Sequence, residues 1–275
     1  MDAFIADDGE SIDLRISGDG PPLIFLHGWT VDHRAWNPFV APLAATHRVY
    51  WWNARGHGPH ALRTASVVDV QRMARDLANL IDHYGLEDAV VVGHSMGALT
   101  LWQYIRDFGS DRLARLCVID QTPKLVTDPE WSLGVYGDFD AARAASFRRD
   151  LDQDFAESVL RLVAFGRNAA DREAYEKDVP NIQKRRRWLQ TLDPAPVVRC
   201  WESLTAADYR DVLPAIDLPT LLIYGEHSNF YDGEVGLYVA AHIRQSTLHV
   251  YPRADHSPHF CDPVRFLRDL REFST

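Results

Sequence analysis

The chain has 275 residues, 46% apolar and 25% charged, an ordinary balance for a globular protein and long enough for one α/β unit with an insertion. The net charge of −10 argues against nucleic acid as a partner, because a phosphate backbone would be repelled. No apolar run approaches the roughly 18 residues that a membrane span needs, so a small-molecule substrate is expected and a membrane is not.

In chain order, Ile12–Ile16 alternates like a half-exposed strand, and Pro22–Leu26 reads as a buried one. A helix is expected from about Trp36 to Ala45, then a third strand over Arg48–Trp52. Val67 to Tyr84 carries Val70, Met73, Leu77, Leu80 and Ile81 at amphipathic spacing and ends at Gly85. Ala89–Val92 is a buried strand, the segment after Ser95 a helix, and Leu116–Ile119 another strand. From about Leu125 the pattern changes to an Arg-, Asp- and aromatic-rich stretch with no convincing strand, a helical insertion over the sheet. Strands return at Pro219–Tyr224 and Ser246–Tyr251, and a helix over Pro263–Phe273 closes the chain. Strands separated by helices imply a mostly parallel sheet with right-handed crossovers.

Gly93-His94-Ser95-Met96-Gly97 fits G-x-S-x-G between a valine run and a helix, the context of a nucleophile elbow. A serine hydroxyl needs a base, the base an orienting acid, and a developing oxyanion needs donors. His256 is the expected base, in the loop between the last strand and the last helix; His259, three residues on, competes. The backbone N–H groups of Met96 and Trp29 are the expected oxyanion hole, with Gly28 allowing close approach.

These segments, with the Asn53-Ala54-Arg55-Gly56-His57-Gly58 loop, resemble the α/β-hydrolase superfamily, particularly small bacterial esterase-like members with a helical cap. The resemblance implies a core of residues 1–124 and 206–275 and a cap of 125–205. In that family the acid usually follows the penultimate strand, where this chain has Ser228, which cannot balance an imidazolium. A minority carries the acid one strand earlier, where Asp120 stands; Glu226 is its rival. The triad implied is Ser95, His256 and Asp120, with Arg55 tying loops together.

The implied reaction is hydrolysis of a small apolar or aromatic ester, lactone or thioester through an acyl-serine. Trp36, Trp131 and Trp188 are expected substrate contacts. Gly28-Trp29, Asp32-His33-Arg34 and the position of Asp120 also resemble cofactor-free dioxygenases that open 3-hydroxy-4-quinolone rings. That likeness would make His33 a substrate contact, although Met96 stands where that group commonly has histidine. A third reading is a binding protein that kept the fold without turnover. Serine rather than aspartate at the elbow disfavours dehalogenation. No cofactor or metal is implied, since His33, His47, His57 and His60 lack ligand spacing. Lys184-Arg185-Arg186-Arg187, the one basic cluster, is expected to be a solvated helix face. Cys117, Cys200 and Cys261 are odd in number and far apart, suggesting buried thiols. With an acidic N-terminus lacking signal-peptide features, they point to the cytoplasm. Oligomeric state is not legible.

Overall fold

The structure is a computed structural model and describes residues 2–58, 62 and 67–275; His60 lies outside the described residues. Its strands are β1 (Asp2–Ile5), β2 (Ser11–Ser17), β3 (Pro22–Leu26), β4 (Arg48–Trp52), β5 (Ala89–His94), β6 (Leu113–Ile119), β7 (Thr220–Gly225) and β8 (Ser246–Tyr251). They form one sheet in the order β1-β2-β4-β3-β5-β6-β7-β8, antiparallel at β1-β2 and β2-β4 and parallel elsewhere. This is the expected mostly parallel α/β architecture. The edge strand β1 was not legible in the sequence, being four residues with only Phe4 buried.

Helices α1 (Asn37–Leu43), α2 (Val70–His83) and α3 (Met96–Phe108) connect the first strands. Five helices then fall between β6 and β7: α4 (Ala141–Gln153), α5 (Phe155–Ala164), α6 (Ala169–Glu176), α7 (Pro180–Leu189) and α8 (Pro194–Ala206). The stretch from Leu125 to Asp140 that leads into them is mostly irregular, with one short 3-10 turn at Val135–Gly137. Helices α9 (Gly233–His242), α10 (Pro258–Cys261) and α11 (Pro263–Ser274) complete the chain. Among the described residues, no helix is long and apolar enough to cross a membrane.

Period-two side-chain alternation in the central strands builds two cores, one on each face. Ile24, Leu26, Tyr50, Trp52, Val91, Leu116, Val118 and Leu222 point to the face that packs α2, α3 and the inserted helices. Leu23, Phe25, Val49, Trp51, Val90, Val92, Cys117 and Ile223 point to the other, against α1 and α11. Both faces are buried, so the strands read as continuous apolar runs rather than half-exposed alternations. Cys117 and Cys200 are buried, as anticipated, but Cys261 is exposed because α10 lies at the surface.

The Arg55 loop is tied down by charge. The Arg55 side chain is fully buried; its Nε and Nη2 donate to the two oxygens of Asp76 at 2.7 Å each, and Nη1 donates to Asp8 at 2.6 Å. The guanidinium beside Asp8 holds that carboxyl down at about 2. A buried arginine is tolerated because every face of its fork has a carboxylate partner.

Candidate active site

Strand β5 runs into Ser95, which adopts φ 53° and ψ −118° before α3 begins at Met96. A non-glycine residue with positive φ is strained, and such strain persists only where the surroundings over-determine it. Here they do. A Cβ at Gly93 would lie 2.6 Å from the carbonyl carbon of Gly97, and one at Gly97 would lie 2.2 Å from the carbonyl oxygen of Leu26. Neither glycine can carry a side chain without moving backbone, which is why both flank the serine. Met96 takes the first helical position, where an amide N–H has no acceptor one turn back. Gly28, just after β3, packs so close that a Cβ there would stand 3.4 Å from the Ser95 Cβ. Trp29, the next residue, lines the same cavity as the serine.

Asp120 sits one residue past β6, fully buried and also in left-handed backbone, φ 45°. Its Oδ1 accepts from His256 Nδ1 at 3.3 Å and from the Ser228 hydroxyl at 3.0 Å, and its Oδ2 accepts from the Gly225 N–H at 2.9 Å. Three donors therefore fix the carboxylate against the imidazole. Ser228 occupies the place where the acid usually stands in the family, and it donates to the acid that is present. Glu226 is exposed and accepts from the Arg253 N–H at 2.8 Å, turned away from this cluster.

The His256 ring is held from several sides. Its backbone N–H donates to Asn229 Oδ1 at 3.1 Å, and its carbonyl accepts from His94 Nε2 at 2.9 Å. Phe230 meets its ring edge-on at 4.6 Å. Asn229 and Phe230 carried no sequence signal, since their role depends on where the loop after β7 lands. His259, the competing histidine, is buried against Trp36 with neither ring nitrogen hydrogen-bonded, so no carboxylate orients it.

Ser95 and His256 line one cavity of about 670 Å³, roofed by the inserted helices. Gly28, Trp29, Met96, Trp188 and Trp201 are also on its wall, with an apolar lining that includes Leu99, Leu125, Val159 and Leu162. Two indoles join roof to floor. Trp29 Nε1 donates to the Val197 carbonyl, and Trp188 Nε1 to the Thr30 carbonyl, each at 2.8 Å.

Three expected substrate contacts lie elsewhere. The His33 ring bonds Asn53 Oδ1 at 2.8 Å, at the start of the 3-10 helix His33–Trp36 that precedes α1, and is off the cavity wall. Trp36 is fully buried under the sheet, stacked on Phe25 at 4.6 Å. Trp131 packs edge-on against Tyr238 with its Nε1 donating to the Lys124 carbonyl. The basic cluster is also divided. Arg186 pairs with Glu157 at 2.9 Å and Asp178 at 2.5 Å, but Lys184 and Arg185 line the cavity.

A profile described as "alpha/beta hydrolase fold" matches residues 21–263, nearly the whole chain. The chain belongs to the α/β-hydrolase fold family. The chain is 26% identical to a pimeloyl-[acyl-carrier protein] methyl ester esterase of Vibrio vulnificus, over 94% of its own length and 96% of the relative's. It is 28% identical to a non-heme chloroperoxidase of Kitasatospora aureofaciens, over 97% and 96%. Among solved structures, an esterase from Exiguobacterium antarcticum superposes with a TM-score of 0.86 at 21% identity, covering 99% and 98% of the two chains, a likeness of fold.

Proposed function

We propose that the protein is a hydrolase that cleaves a small apolar or aromatic ester, lactone or thioester through an acyl-Ser95 intermediate. The observation that carries the reading is the Asp120–His256 contact, made from a fully buried carboxylate beside a cavity that Ser95 also lines. In this reading His256 takes the hydroxyl proton as Ser95 Oγ attacks the carbonyl carbon. The amides of Met96 and Trp29 stabilise the tetrahedral oxyanion, and the protonated His256 passes its proton to the leaving group. His256 then removes a proton from water as its oxygen attacks the acyl carbon, and returns that proton to Ser95 Oγ as the acid leaves. Asp120 keeps the imidazole in the tautomer with Nδ1–H, leaving Nε2 to accept.

The apolar wall and the enclosed volume support a substrate of modest size held mainly by hydrophobic contact. The dioxygenase reading draws on the same Asp120–His256 pair, but it loses a substrate contact, because His33 is off the cavity wall. Pre-steady-state hydrolysis of p-nitrophenyl acetate tests the proposal. A burst of nitrophenol matching the enzyme concentration is expected, followed by a slower steady rate. No release of nitrophenol, with oxygen uptake on 3-hydroxy-4-quinolones instead, would overturn it in favour of the second reading.

A further inference from the structure

Helix α7 turns one face toward the cavity: Asn181, Lys184, Arg185 and Trp188 recur at helical spacing along its wall. Arg185 differs from every other charged group there. It is only partly exposed, its Nε is buried with no hydrogen-bond partner, and among the described residues it makes no ion pair. Arg186, next to it, has two carboxylate partners. An arginine stays charged at any working pH, and a desolvated guanidinium without a partner is unfavourable unless a ligand supplies one.

Two carboxylates share the cavity wall, and both are engaged elsewhere. Asp171 accepts from Asn229 Nδ2, and Asp255 Oδ1 accepts from the Ser257 N–H at 2.7 Å and the Cys261 thiol at 3.4 Å. They act on Arg185 through space without occupying its fork. With Lys184 and Arg185 set against these two carboxylates, the wall carries no net positive charge to favour a phosphate dianion over a singly charged carboxylate. The remaining wall is largely apolar, with Val159, Leu162, Ile182 and Trp188 among its members.

We propose that Arg185 binds a free carboxylate on the substrate, so that the preferred substrates are esters carrying a carboxylate separated from the ester group by an apolar chain. This deepens the reading of Ser95 as nucleophile and rests on it for the reaction. The fork of the guanidinium would take both carboxylate oxygens, while the chain lies on the apolar wall and the ester reaches Ser95.

The test uses ethyl half-esters of linear dicarboxylic acids from succinate to suberate, each beside the ethyl ester of the matching monocarboxylic acid. Acetate esters of ω-hydroxy acids, beside those of simple alcohols, place the carboxylate on the alcohol side. At one chain length the wild type should favour the charged ester in kcat/KM. Arg185→Gln should lower that charged-to-neutral ratio on the order of 100-fold, and Arg185→Lys should restore part of it. Calorimetric titration of the free dicarboxylates into Ser95→Ala gives a readout independent of turnover, with binding expected that Arg185→Gln abolishes. If neutral esters turn over but no series shows a charge preference that depends on Arg185, the carboxylate site is wrong and the nucleophile reading stands. If no ester turns over but dicarboxylates bind through Arg185, the site stands and the nucleophile reading fails.

Discussion

Asp120→Asn should lower kcat for ester hydrolysis by about 10⁴-fold while the protein stays folded, the magnitude seen when a triad aspartate becomes an amide. Asp120 accepts from three donors and faces His256 Nδ1 with an oxygen that can only accept. An asparagine can keep its single oxygen toward either Gly225 or His256. With its NH₂ toward the ring it selects the wrong tautomer, the one whose Nε2 carries the proton and cannot take another from Ser95. The Ser228 hydroxyl lies 3.0 Å from the same Asp120 oxygen, so the usual family position and the one used here converge on one point. Adding Ser228→Asp to Asp120→Asn should therefore recover at least about tenfold of the lost rate by returning a carboxylate to the imidazole. Steady-state kinetics of the single and double variants, with circular dichroism to verify folding, decide this. A single variant with near-normal kcat would remove Asp120 from the mechanism.

Acid should destabilise this fold while most of its carboxylates are still ionised. Burial holds His27 down at about 4, and His57 and His259 at about 3, against 6.5 for an exposed histidine. The contacts explain why water cannot compensate. His27 Nδ1 donates to the Gly28 carbonyl at 2.8 Å and its Nε2 accepts from the Ala54 N–H at 3.0 Å, so a second proton would set two donors face to face. His57 packs 5.5 Å from His27, and His259 has no polar partner at either nitrogen. Burial, with His259 and His256 nearby, likewise pushes His94 well below its usual value.

Each folded-state value lies below the unfolded one, so the unfolded chain binds protons first as pH falls. Stability is full above about pH 6.5 and is lost through the window down to about 4 for His27 and about 3 for the other two. With His94 counted, four such groups give a slope of about 5 kcal/mol per pH unit, against a total of about 5–15 kcal/mol for a typical fold. Urea midpoints between pH 7 and pH 5 measure it. His259→Phe, which keeps the ring stack on Trp36, should remove about one quarter of the slope. A midpoint that does not move across this range would show that these imidazoles protonate in place.

The strands and helices of the core were legible because burial imposes period two on one and period 3.6 on the other, and both patterns survive in the apolar residues. Strand β1 and helix α9 escaped: the strand is four residues long, and the helix buries only Val235, Gly236 and Val239. In the site, backbone geometry left the clearest trace. Gly93 and Gly97 mark contacts that admit no side chain, and Ser228 marks an acid missing from its usual place. Side-chain direction left none. Trp36 lies three residues past His33, near the cavity in sequence, yet it points under the sheet because Phe25 and His259 receive it there. Likewise a run of four basic residues on a helix of 3.6 per turn must face several ways, and only the fold shows that Arg185 faces inward.

The central claim, that Ser95 is an activated nucleophile, is tested most directly by intact mass after treatment with a fluorophosphonate, wild type beside Ser95→Ala. The account predicts one phosphonyl adduct on the wild type, placed on Ser95 by peptide mapping and absent from the variant. A wild type that stays unlabelled while folded, or an adduct that persists in Ser95→Ala, would contradict it.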